Sequence, residues 1–235
     1  VETYSLIMSE YGPVKYINEK PYALSWAAHQ PYAVNMQLLK LEQADTVDDA
    51  LALASNVGIP VQNLMVVDSL GNAAWKNIGG IPARTNVSEL SVNAQHYSAL
   101  FEQNEINRPF VKNPPSGRLW TGNSRVVSAS DNARFGNGGY ALGARSSQIR
   151  DRLFEKQTFA ESDFYALQLD NQARFLMPWH ELLLKQLKTN EVKNAKYITE
   201  LENWQQCACA SSVAYTPVSY THLRAHETDS YLVCR

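Results

Sequence analysis

Residues 113–123, Asn113-Pro114-Pro115-Ser116-Gly117-Arg118-Leu119-Trp120-Thr121-Gly122-Asn123, combine stiffness with a terminal amide. Two prolines fix φ and push the residues before them toward extended geometry, and Ser116-Gly117 supplies a turn. Leu119-Trp120-Thr121 reads as the start of a strand that ends in a small residue and Asn123. A side-chain amide presented in this way can donate an N–H to the negative oxygen of a tetrahedral intermediate, and removing one such donor typically lowers turnover by about 10²–10³. A bland role as a turn former is also open to Asn123. Arg145, at the mouth of an amphipathic segment, offers a positive charge for a developing anion or a substrate carboxylate. Its bland alternative is a helix-start arginine that pairs a surface carboxylate.

Other chemistry-bearing residues give weaker patterns. His29, His96 and His180 lack a nucleophile-elbow context, and His180 falls in a core-like helical pattern, so no Ser-His-Asp triad is expected. His222 and His226 stand four apart with Glu227 following, a spacing that suits zinc on a helix. Residues 218–228 and 232–235, however, spell the translation of a sequencing-library adapter. We therefore expect residues 217–235 to be adapter translation rather than native sequence, with the natural chain cut off near residue 216. Of the three cysteines, Cys234 lies in that tail, and Cys207 and Cys209 look too close for a comfortable disulfide with each other.

The elements that must carry these residues can be read from periodicity. Residues 3–8 and 14–17 alternate apolar and polar around Tyr11-Gly12-Pro13, and 22–28 reads as a buried strand. Residues 31–43 change to helical spacing, and Thr46 with Asp49 opens a second helix, closed by Gly58 and Pro60. Residues 61–67 and 73–78 flank Asp68-Ser69-Leu70-Gly71-Asn72, a hairpin signal. Residues 82–109 read as a long surface excursion and 131–139 as a Gly/Asn-rich loop. From about residue 142 the pattern is helical, with Ile149 and Leu153 buried, and a further helix over 161–187 should be kinked or split by Pro178. The order of elements predicts an α+β fold, an antiparallel sheet with packed helices.

Composition bounds the class. With 45% hydrophobic and 19% charged residues the chain is ordinary globular protein, and its net charge of -2 with interspersed signs argues against a nucleic-acid partner. No run approaches the roughly 18 apolar residues of a membrane span.

These features together resemble the penicillin acylase (penicillin amidase) family of N-terminal-nucleophile hydrolases. Tyr11-Gly12-Pro13-Val14 resembles the family's His-Gly-Pro turn, with Tyr in place of His. Tyr22-Ala23-Leu24-Ser25-Trp26, Gly58-Ile59-Pro60-Val61-Gln62-Asn63 and Asp68-Ser69-Leu70-Gly71-Asn72 follow in the family's order. Residues 113–123, Arg145 to Ile149, Leu167-Gln168-Leu169-Asp170, and Trp204 with 211–215 complete it. Each motif is weak alone; their order is specific.

The resemblance implies part of an αββα sandwich, with residues 1–216 an internal piece of the β chain. It implies an amide hydrolase in which an N-terminal serine attacks the amide carbonyl and forms an acyl-enzyme, its own α-amine serving as base. Asn123 would serve the oxyanion hole and Arg145 would give electrostatic support. The serine is not in this chain, whose first residue is Val1, so the chain alone should be inactive. The implied partners are a small N-acyl amide substrate, such as a β-lactam or an acyl-homoserine lactone, and the α chain and remaining β chain of the same precursor. The implied location is periplasmic or secreted. Many relatives hold a structural calcium; one ligand position falls near Arg134, with Asp131 close enough to substitute, so calcium is an open expectation for the full-length protein. The alternative reading is a non-catalytic binding module on the same scaffold.

Overall fold

The computed structural model describes residues 4–85, 87–97 and 99–221. The zinc-like trio His222, His226 and Glu227, and Cys234, lie outside them. The chain forms two compact units, Val1–Gly143 and Ala144–Arg235.

In the first unit, β1 (Ile7–Ser9), β2 (Gly12–Ile17) and β3 (Lys20–Ala23) form an antiparallel sheet in that order, with Ile7 opposite Val14 and Lys15 opposite Tyr22. Asn18 and Glu19 both take positive φ, 48° and 64°, the conformation a two-residue hairpin turn requires. Gly12 has φ 130°, and a Cβ there would lie 2.3 Å from the Leu24 carbonyl oxygen, so only glycine fits where the chain beyond β3 returns to Pro13. The predicted buried strand over 22–28 is corrected: β3 ends at Ala23, a 3-10 turn occupies Ala27–His29, and Leu24 and Trp26 are 59% and 58% exposed. Helical spacing in 31–43 yields a 3-10 helix, Gln37–Gln43, with no buried residue.

α1 (Val47–Ala54) starts where the sequence places it. The Thr46 hydroxyl accepts from the Asp49 N–H and the Asp49 carboxylate accepts from the Thr46 N–H, a reciprocal cap that satisfies two orphan donors. Val47, Ala50 and Ala54 form its buried stripe, and Ala54 joins Val57 and Ile78 in a core cluster. The helix ends at Ser55 rather than at Gly58, whose carbonyl and N–H instead engage Asn35.

β4 (Gln62–Val67), β5 (Ala73–Ile78) and β6 (Phe110–Lys112) make a second antiparallel sheet, so the sheet expected from sequence is two three-stranded sheets among the described residues. The hairpin turn is held by Asp68, whose carboxylate accepts from the N–H groups of Leu70 and Asn72, the Asn72 amide and the Val47 N–H. That last bond ties the turn to the N-terminus of α1. The excursion over 82–109 is not wholly at the surface: Phe101 and Arg108 are buried, and Tyr97 meets the rings of Tyr11 and Phe101.

The loop expected over 131–139 is helical in its first half: α2 (Ala129–Phe135) runs into it, capped by the Ser128 hydroxyl on the Asp131 N–H. Its end at Gly136 (φ 85°) uses the glycine that suggested a loop.

The second unit is helical: α3 (Ala144–Phe154), α4 (Glu161–Gln168), α5 (Met177–Leu187) and α6 (Glu191–Glu202). The 161–187 segment is split before Pro178, which occupies the first turn of α5, where a missing N–H removes no hydrogen bond. Leu153 is buried, whereas Ile149 is half-buried. Leu176, Leu201, Trp204, Ala214 and Val218 form the core. His180 is built into its edge: Nε2 lies 2.9 Å from the Leu201 carbonyl and the ring sits against Trp204. Cys207 and Cys209, expected to stay apart, form a disulfide. Their Cα atoms are 5.2 Å apart, within the ordinary span. A left-handed turn at Gln206 (φ 59°) and a β-bridge from Cys207 to Gln172 hold that loop.

Candidate active site

The Asn113–Asn123 arm is anchored at its start by one side chain. The Asn113 N–H donates to the Ala73 carbonyl, its amide oxygen accepts from the Ala73 N–H at 2.9 Å, and its amide nitrogen donates to Asn72. The arm therefore begins fixed to the Asp68 hairpin. A turn follows, with the Gly117 N–H on the Pro114 carbonyl at 2.8 Å, and the Arg118 guanidinium donates back to the Ser116 carbonyl. The strand expected over 119–121 does not form: the stretch is irregular and half-buried. β6, three residues long and ending at Lys112, is the edge of the second sheet.

Gly122 is buried, and Asn123 follows it at the surface with φ 61°. This left-handed conformation is one that asparagine tolerates better than other residues with a Cβ. The Asn123 carbonyl accepts from the Ala141 N–H at 2.9 Å, so the backbone is pinned. Left-handed backbone at a polar residue is also found at the plain hairpin turn of Asn18. What distinguishes Asn123 is that the conformation ends an anchored, proline-stiffened arm.

Arg145 is the second residue of α3 and is exposed. A cation in the first turn opposes the helix dipole by a few tenths of a kcal/mol, so helix stability does not explain it. Arg145, Gln148, Ile149 and Arg152 recur along one helix face and line a cavity of about 700 Å³ within the second unit, together with Leu167, Phe175 and Tyr215. Asn123 belongs to the first unit and Arg145 to the second.

The sequence did not single out the group that orients this helix face. The Asp170 carboxylate, 9% exposed, takes the Arg152 Nε–H at 2.8 Å, the Gln148 amide at 2.9 Å and the Gln172 N–H at 3.1 Å. Gln148 also donates to the Gln172 carbonyl, and Arg152 reaches Glu155. The Arg152 guanidinium, foremost, holds the Asp170 carboxyl well below the usual carboxylate range, and burial only partly opposes it. The signal was available: Arg152 lies two helical turns after Arg145, and Asp170 closes the Leu-Gln-x-Asp motif.

The residues near Arg134 do not fit calcium. Arg134 Nη2 lies 2.7 Å from Asp131 and Nη1 3.4 Å from Glu105, so a guanidinium stands between the two carboxylates an ion would need. Among the described residues no group of three or more Asp, Glu, His or Cys could hold a metal.

The sequence pattern of the penicillin amidase family matches residues 1–227. The chain belongs to the penicillin amidase family. Its fold is similar to that of a thermostable penicillin G acylase from Alcaligenes faecalis, with a TM-score of 0.61 at 18% identity. That match covers 86% of this chain, which spans 38% of the acylase chain. The α+β class expected from sequence is that of this penicillin amidase fold. None of the curated proteins compared matches the chain. Among the described residues no helix is long and apolar enough to cross a membrane.

Proposed function

We propose that this chain is an internal part of the β chain of an amide hydrolase, acting on small N-acyl amides through an N-terminal serine encoded upstream of Val1. Asn123 donates its amide N–H to the oxyanion, and Arg145 stabilises negative charge near the nucleophile or on a substrate carboxylate. The observation that carries the reading is Asn123 itself. Within a chain matched to the penicillin amidase family nearly end to end, it terminates an arm tied down at Asn113 and again at its own carbonyl. A donor held before substrate arrives needs no reorganisation during the reaction.

The apolar surface supports a larger parent. Ile7, Met8, Tyr16, Leu24 and Trp26 are all more than half exposed around the first sheet, the kind of patch a longer chain or a processed partner would cover. The partners under this reading are the α chain and the rest of the β chain from one precursor, and the location is the periplasm or the exterior.

The test is hydrolysis by the complete gene product. Release of free acid from N-acyl amides, abolished when the β-chain N-terminal serine is replaced by alanine, is expected. Binding of the same amides with no turnover would favour the binding-module alternative.

A further inference from the structure

We infer that Arg134 is a built-in cation that takes the structural role of a calcium ion, joining the segment before β6 to α2 and making this region independent of calcium.

Asp131 Oδ1 takes Arg134 Nη2, and Oδ2 takes the Ser128 hydroxyl at 2.9 Å. Glu105 Oε1 accepts the Asn107 N–H at 2.8 Å, and Oε2 faces Arg134 Nη1. All four oxygens are engaged within the protein. Calcium takes six to eight oxygen ligands, whereas this arrangement offers two carboxylates already satisfied by donors.

Charge leads to the same conclusion. Arg108, 6% exposed, donates Nε–H to the Glu105 carbonyl at 2.9 Å and Nη2–H to the Asn104 side chain at 2.8 Å. Arg134 alone pairs with the two carboxylates, while Arg108 beside them is held by a backbone carbonyl and an amide, so the two positive and two negative charges of the cluster balance without a metal. Adding a divalent ion would place two further positive charges beside two guanidinium groups. The Arg134 guanidinium also holds the Asp131 carboxyl below its ordinary value, chiefly by hydrogen bonding, and rests over the Phe135 ring.

The geometry explains why an arginine can do this. Glu105 precedes β6, Asp131 sits in the first turn of α2, and a planar fork with two terminal nitrogens reaches both at once. Lys, a point charge on a flexible stem, cannot. Arg134 in the last turn of α2 also complements the helix dipole.

The experiment is thermal unfolding of the complete gene product in excess calcium and in excess chelator, for the wild type, R134A and R134K. The wild type is expected to melt at the same temperature in both buffers. R134A is expected to melt several degrees lower, with R134K only partly restoring the loss. A wild-type melting temperature that falls in chelator would overturn the inference, as would R134A or R134K melting with the wild type. Should R134A fail to fold, the wild-type comparison and R134K still decide. None of these readouts involves hydrolysis, so the inference and the amidase proposal fail separately.

Discussion

If the proposed role of Asn123 holds, N123A in the complete gene product is expected to lower kcat by about 10²–10³ while leaving KM nearly unchanged, because under that proposal the amide acts on the oxyanion and not on the ground-state carbonyl. The backbone complicates the reading. Asn123 sits at φ 61°, where alanine is strained by about 1 kcal/mol, so part of any loss could come from a shifted chain. N123G separates the two causes, since glycine accepts the conformation and lacks the donor. The account expects N123G to be as impaired as N123A. If N123G retains wild-type turnover, the side chain is not an oxyanion donor and Asn123 is only a turn former.

D170A is expected to have the largest effect on stability. It removes the acceptor shared by Arg152, Gln148 and the Gln172 N–H, leaving a guanidinium that is 26% exposed with Glu155 alone. Loss of a fully buried pair partner destabilises by about 3–5 kcal/mol, and the partial exposure of Arg152 brings the expectation to about 2–3 kcal/mol. The pH dependence has a definite sign. Asp170 titrates lower in the folded protein than its ordinary 3.8, so its contribution is complete above that value and is lost as pH falls below it. D170N, which keeps the shape but not the charge, should therefore be less stable than wild type at neutral pH and converge on it under acid. Urea midpoints measured across that range check this, and parallel curves for the two proteins would contradict it. Asp68, Asp131, Asp163 and Glu155 are also held below their usual values, so the difference between the two proteins isolates Asp170. Because α3 also carries Arg145, slackening this clamp should raise KM for carboxylate-bearing substrates more than for neutral ones.

What could be read from the sequence was what short-range chemistry dictates. Thr46 and Asp49 make a reciprocal cap within four residues, and Asp68 to Asn72 closes a hairpin through its own side chain; both signals are local and both elements formed. The arm from Asn113 to Asn123 was legible as a stiff, turned segment for the same reason. Elements that depend on distant partners were less readable. Residues 119–121 carry strand-forming types but no neighbouring strand, and α2 was hidden because seven residues give too little periodicity to outweigh the Asn and Gly around it. The cap that starts it, the Ser128 hydroxyl on the Asp131 N–H, was not singled out. Burial was misjudged over 22–28, where an apolar run says that something should cover it and cannot say what. The Cys207–Cys209 bridge depends on the left-handed turn at Gln206, which residue spacing alone does not specify.

The central claim is that this chain belongs to a longer β chain whose nucleophile lies upstream. Sequencing genomic DNA outward from both ends of the region tests it most directly. The account predicts one continuous frame with a serine at a processing junction upstream of Val1, and different residues from about position 217 onward. A gene that begins at Val1 and ends at Arg235 would contradict it, leaving the fold without a nucleophile.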